Sequence, residues 1–297
     1  MDNELKYKIG VTLLPRMGSI LSKNIIAYCG SAAAVFKEKE KNLQKIPGIG
    51  EIIAKAIVEQ REELLTQAEE ELKFIEKKSI TPLFYLDKNY PARLKNCEDA
   101  PVMLYLKGEV ELNVPRVVSI VGTRNPTDYG KNFCEKLVGD LKEMNVMVVS
   151  GLAYGIDTCA HRTCVKNYVP TVVVLAHGLD KLYPPDNAAL VKKMIPNGGI
   201  ITEFVSGTKL APELFPRRNR IVAGMADAVV VIESKKGGGS LITADIANSY
   251  SRDVFALPGK ISDPVSEGCN WLIKINKAAL IESAKDIAYM LGWEDKK

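Results

Sequence analysis

Six short β-branched runs recur between residues 117 and 258: VVSIV at 117–121, VMVVS at 146–150, TVVVLA at 171–176, GIIT at 199–202, AVVVIE at 228–233 and DVFALP at 253–258. Helical patterns separate most of them. A run that is apolar along its whole length must be covered on both faces, which is the signature of a parallel sheet. Strand alternating with helix then predicts a doubly wound, Rossmann-like, mainly parallel α/β fold. In such a sheet the ligand crevice lies beyond the carboxyl ends of the strands, so the residues that follow each run are the ones to inspect.

Those residues are rich in glycine and cations. The first run leads to Gly122-Thr123-Arg124-Asn125, the second to Gly151-Leu152-Ala153-Tyr154-Gly155-Ile156-Asp157, and the third to His177-Gly178 and on to Tyr183-Pro184. The fourth leads through Glu203 to Phe215-Pro216-Arg217-Arg218-Asn219-Arg220, the fifth to Ser234-Lys235-Lys236-Gly237-Gly238-Gly239-Ser240, and the sixth to Gly259-Lys260. Glycine lets a ligand approach the main chain, and helix N-termini expected near 156, 216 and 240 offer oriented N–H groups. Arg and Lys supply charge, and the arginine fork grips phosphate through two hydrogen bonds. One edge of the sheet therefore reads as an anion-binding groove for an extended phosphate chain.

The pattern also excludes. Gly122-Thr123-Arg124 is not a full G-x-G-x-x-G, and Gly237-Gly238-Gly239-Ser240 lacks the Lys that precedes the hydroxyl residue of a Walker loop. An ordinary dinucleotide site and nucleoside triphosphate hydrolysis are both disfavoured. Among the three arginines, Arg217 and Arg218 are expected on the ligand. Arg220 is the natural one to brace Glu203 or Asp227, since helical geometry turns at least one of the three away. Asp157 and His161, four residues apart on one helix face, read as braces of the loop that begins at Gly151, because no nucleophile is placed beside them. Tyr154, Phe204, Phe215 and Phe255 are the candidate stacking platforms.

Residues 1–78 show helical spacing throughout and predict a small all-α domain, with residues 79–297 forming the Rossmann-like one and 79–114 as its N-terminal extension. Within the first, Pro47-Gly48-Ile49-Gly50 sits between two helical stretches and resembles a helix-hairpin-helix turn. Gly48 and Gly50 are its candidate phosphate contacts, and a turn that only packs the domain is the equal alternative. With 46% hydrophobic and 26% charged residues the composition is that of a globular protein. The net charge of +4 is a weak lean towards anionic partners. No apolar run approaches a membrane span and no signal core follows the N-terminus, so a cytoplasmic location and no membrane contact are expected. Six cysteines form no CxxC pair and only two histidines are present, so neither a metal site nor a disulfide framework is expected.

Seven segments, SIVGTRNPTDYG, SGLAYGIDTCAH, VLAHGLDKLYPPDN, ITEF, FPRRNRIVAG, ESKKGGGSLITADIA and VFALPGKISDPVSEGCNWLI, occur in the order found in the DNA-processing protein A (DprA/Smf) family. The chain resembles that family from about Lys78 to Trp293. The resemblance implies a non-enzymatic protein that binds and protects single-stranded DNA during natural transformation, loads the RecA recombinase, pairs as a homodimer, and needs neither metal nor nucleotide cofactor. The residues then expected on DNA are Gly122, Thr123, Arg124, Gly151, Gly155, Arg217, Arg218, Asn219, Arg220, Lys235, Lys236, Gly237, Gly238, Gly239, Ser240 and Lys260. The winged-helix domain that many relatives carry at their C-terminus is not expected here. Two other readings compete. One is a Rossmann-like hydrolase of a small nucleotide, using Glu203, Asp157 or Glu233 as acid or base. The other is a scaffold whose main partners are proteins.

Overall fold

The computed structural model describes residues 3–294. Six helices lead: α1 (Asn3–Thr12), α2 (Ser19–Cys29), α3 (Ala32–Val35), α4 (Glu40–Leu43), α5 (Glu51–Glu59) and α6 (Arg61–Lys78). Then come β1 (Thr81–Phe84), α7 (Ala92–Lys95), β2 (Met103–Gly108), β3 (Val117–Gly122), α8 (Asp128–Glu143), β4 (Met147–Ser150), α9 (Ile156–Asn167) and β5 (Thr171–Val174). The chain continues through α10 (Ala188–Met194), β6 (Gly198–Thr202), α11 (Leu214–Gly224), β7 (Ala228–Ile232), α12 (Gly239–Ser249), β8 (Asp253–Ala256), α13 (Glu267–Lys274), β9 (Ala279–Leu280) and α14 (Ala284–Met290).

The strands form one nine-stranded sheet in the order β1-β2-β6-β5-β4-β3-β7-β8-β9. Strands β3 to β9 are mutually parallel; at the β6 edge β2 pairs antiparallel with β6, and β1 pairs antiparallel with β2. The six apolar runs are β3 to β8. The N-terminal extension 79–114 pairs into the sheet through β1 and β2, and the two-residue β9 carries too little pattern to be seen in sequence.

Burial on both faces is visible within one strand. Val117 and Val121 of β3 join the core on one side of the sheet, while Val118 and Ile120 join the core on the other. Between them Ser119 is fully buried and donates to the Val222 carbonyl at 2.7 Å, which removes the cost of burying its hydroxyl. Ile120 is fully buried. Ile120→Ala is expected to cost roughly 2–5 kcal/mol, read as a lower denaturant midpoint with an unchanged slope.

The leading helices share their core with the sheet edge. On α6 the buried positions Leu64, Ala68, Glu71, Leu72 and Ile75 follow helical spacing, and this face packs with Phe84, Val102, Met103 and Tyr105 of the first two strands and the segment before β2. Glu71 is the polar member of the stripe. It accepts from the Ser206 N–H at 3.0 Å and from the Ser206 hydroxyl, tying α6 to the segment after β6. Burial raises its carboxyl above the usual range, with the Ser206 bonds opposing.

Candidate functional site

From β3 the chain steps outward through β4, β5 and β6, then returns to place β7 on the opposite side of β3. The order of strands thus reverses between β3 and β7, where the loops diverge and leave a crevice. A groove of 330 Å³ lies there, lined by Gly122 to Arg124, by Gly151, Ala153 and Asp157, by Phe215, Pro216, Arg218 and Asn219, and by Ser234, Lys235 and Gly238 to Ser240. Three loops and the first turns of α11 converge on it.

Glycine is required where these loops touch. A side chain on Gly122 would strike the Ile232 carbonyl, and one on Gly151 would lie 2.7 Å from both terminal nitrogens of Arg218. Gly155 caps α9 at φ 84°, and a side chain there would run into the Thr123 carbonyl. The N-terminus of α12, capped by Gly238, and the exposed Arg124 and Lys235 complete an edge suited to anions.

Arg218 is the buried cation of the groove. Its side chain donates to the Val174 carbonyl and, at 3.1 Å, to the Asn219 side chain, and its charge is opposed by Asp157. Burial pushes the Asp157 carboxyl up to about 6, with Arg218 pulling the other way and the Ala153 N–H, at 3.2 Å, also favouring the ionised form. Below them His161 is fully buried. Its Nε2 lies 2.7 Å from the Gly151 carbonyl and its Nδ1 2.8 Å from the Thr171 hydroxyl. Burial lowers it to about 4, so the ring is neutral, Nε2 holds the proton, and the side chain clamps the Gly151 loop.

The arginine triplet divides. On a helix, residues 217 and 220 share a face and 218 points elsewhere. Arg217 and Arg220 both grip Glu203, at 2.8 and 2.6 Å, and the Arg217 guanidinium sits 5.1 Å from the centre of the Phe204 ring. Arg218 and Asn219 line the groove; Arg217 and Arg220 do not. Gly155, Lys236 and Gly237 shape its loops without lining it, and Lys260 lies in a separate open depression with Tyr129, Gly259 and Ser266. Of the stacking candidates, Phe204 and Phe255 are buried in place, whereas Tyr154 is 46% exposed and Phe215 lines the groove. Gly48, at φ 83°, and Gly50, which caps α5, are in the leading helices. Of the cations that follow the turn, Lys55 pairs with Glu59 at 3.8 Å and Arg61 donates to the Glu38 carbonyl.

The sequence profile describing DNA recombination-mediator protein A matches residues 81–292. The chain belongs to that family. Among its relatives, Protein Smf of Synechocystis is 34% identical over 299 residues, covering 98% of this chain and 73% of that protein. DNA processing protein DprA of Streptococcus pneumoniae is 40% identical over 202 residues, covering 68% of this chain and 71% of its own. The X-ray structure of S. pneumoniae DprA superposes with a TM-score of 0.81 at 30% identity, over 96% of this chain and 97% of that one. A Helicobacter pylori DNA processing protein A, whose structure describes a single-stranded DNA binding mode, matches with a TM-score of 0.65 at 28% identity, over 71% of this chain and 95% of that one.

In this member of the family the three carboxylates that an acid–base reaction could use are differently placed. Glu203 is held by two arginines outside the groove, and Glu233 accepts from the Thr127 N–H at 2.8 Å and from its hydroxyl, which caps α8. Asp157 alone of the three lines the groove. Thr243, Ile242 and Val222 line it too, outside the segments that follow the apolar runs. Thr243 stands one turn beyond Gly239, so the i, i+4 spacing from the glycine loop is the signal that finds it. Among the described residues no group of side chains could hold a metal ion, and no helix is long and apolar enough to cross a membrane.

Proposed function

We propose that the chain binds single-stranded DNA along this groove, gripping phosphates without reading sequence, and that it does so as a binding protein rather than an enzyme. The observation that carries the reading is the convergence of Arg124, Arg218, Lys235 and the α12 N-terminus on one open crevice at the strand-order reversal. A phosphate chain is the ligand that uses all of them together. The relative from H. pylori, described with single-stranded DNA, supports it. On the same reading the bound strand is handed to a RecA-type recombinase during DNA uptake, two copies of the chain act together, and the protein works in the cytoplasm as a helical domain of residues 1–78 joined to a Rossmann-like domain of 79–297.

Binding of this kind is salt-dependent, the logarithm of affinity falling with the logarithm of salt by about 0.7 for each phosphate neutralised on a single strand. Titrating salt against equal lengths of single-stranded and duplex oligonucleotide is expected to show single-strand preference. Arg124→Glu is expected to flatten the salt slope by about 0.7 or more. An unchanged slope in that variant excludes Arg124 from the phosphate path. Release of base or phosphate from a nucleotide panel, lost in Asp157→Asn, would instead establish the hydrolase reading.

A further inference from the structure

Three of the cysteines meet where α8 packs on α9. Cys134 and Cys164 are buried there, and Cys159 is half-buried at the edge of the same core. The Cys159 sulfur lies 4.0 Å from the Lys131 carbonyl of α8. A helical side chain leans over the turn that precedes it, so Cys134, three residues after Lys131, covers that same turn. The two sulfurs are therefore neighbours, and the Cys134 thiol donates its hydrogen to the Cys159 sulfur. Cys164 meets the Thr171 side chain of β5 instead.

The two thiols are unlike. The bond from Cys134 lowers the proton affinity of Cys159, with Thr163 and Arg162 adding, against burial and the Glu135 charge. The same bond, together with burial, raises Cys134. In disulfide exchange the thiolate is the nucleophile, and the first attack belongs to a sulfur that an external reagent can reach. Cys159 has both properties. Cys134, with no exposed surface, has neither, but it stands against the sulfur that an oxidant would modify first.

We propose that Cys159 and Cys134 form a thiol–disulfide couple, in which Cys159 takes up an external low-molecular-weight disulfide and Cys134 resolves it into a bond joining α8 to α9. The Cys159 thiolate attacks one sulfur of the external disulfide, whose S–S bond breaks; one thiolate leaves and a mixed disulfide remains on Cys159. Cys134 then loses its proton to water, attacks the Cys159 sulfur and expels the second thiolate. The protein gives up two electrons, and the external disulfide takes them as two thiols. The new bond closes a loop that contains β4 and the Gly151 loop of the groove. A crosslink of this kind restricts the unfolded chain, so oxidation stabilises the fold around that loop.

The test treats the reduced full chain with glutathione disulfide at neutral pH, blocks the remaining thiols with iodoacetamide and maps the cysteines by mass spectrometry. Joined peptides carrying Cys134 and Cys159 are expected, and the oxidised chain is expected to melt above the reduced one until dithiothreitol reverses the difference. Cys134→Ser, close in size to the native side chain, is expected to stop with glutathione on Cys159. Cys29 serves as the internal control, since it is half-buried like Cys159 but its thiol is raised by burial. Cys159 is expected to react about tenfold faster than Cys29. Equal rates at the two, a crosslink through Cys164 in place of Cys134, or no glutathione on Cys159 in the Cys134→Ser chain overturns the couple. A wild-type chain that stops at the mixed disulfide, or an oxidised chain that melts no higher than the reduced one, overturns the bond between α8 and α9 as a clamp.

Discussion

Arg218→Ala is expected to lower affinity for single-stranded DNA by roughly two orders of magnitude, and Arg217→Ala by less than about threefold, although the two are neighbours in sequence. The difference comes from the helix. Arg218 lies on the groove side of α11 with Asn219, and Arg217 lies on the side of Arg220, both of them on Glu203. A hydrogen bond from a charged donor contributes about 1.5–3 kcal/mol, and its loss from the groove accounts for the larger effect. Removing Arg218 also takes from the buried Asp157 the positive charge that favours its ionised form, so some stability is lost with it. The binding measurement therefore includes Arg218→Met combined with Asp157→Asn, which removes the charge pair as a unit. If this double variant melts near the wild type and still binds tightly, Arg218 has no contact with the strand. If Arg217→Ala loses as much affinity as Arg218→Ala, the phosphate path runs over the Glu203 side of α11 instead.

The arginine triplet shows where sequence stops informing. The parallel sheet was legible because β3 to β8 are apolar on both faces, and the site's location followed from the rule that ligands gather at strand carboxyl ends. Three of the loops picked on that rule, those at Gly122, Gly151 and Lys235, do line one groove. That Arg220 braces a carboxylate was also legible, with Glu203 and Asp227 both open; Arg220 takes Glu203, and Asp227 goes to Arg93. Which way Arg217 points was not, because that depends on the phase of α11, and the helix begins at Leu214 inside a proline-containing segment with no capping side chain. Lys260 was grouped with the groove because it follows a strand, yet the strand it follows is β8, one place beyond β7, and it belongs to a neighbouring depression. The edge strand β1 was hard to read as a sheet member because Pro82 breaks its pattern, whereas an edge strand tolerates a proline.

Two buried groups beneath the groove are expected to pull the pH dependence of stability in opposite directions. His161 has an ordinary value of 6.5 and is lowered to about 4 in the fold by burial, with the Arg218 charge adding and its bond to Gly151 opposing. Between those values the unfolded chain holds more proton than the native one, so this group stabilises increasingly as pH rises. Asp157 has an ordinary value of 3.8 and is raised to about 6 by burial against the pull of Arg218 and Arg124. Between those values the native chain holds more proton, so this group stabilises less as pH rises. Across roughly pH 4 to 6 the two slopes oppose each other, each at most about 1.4 kcal/mol per pH unit. His161→Gln keeps a donor for the Gly151 carbonyl and removes the titration. Relative to wild type its stability is expected to fall as pH goes from 4 to 6. Asp157→Asn removes the other slope, and its stability relative to wild type is expected to climb over the same interval. Urea midpoints measured at a series of pH values read both differences directly, free of the background set by the rest of the chain. Parallel pH profiles for the wild type and both variants would mean that neither group's proton affinity differs between the folded and the unfolded chain in this window.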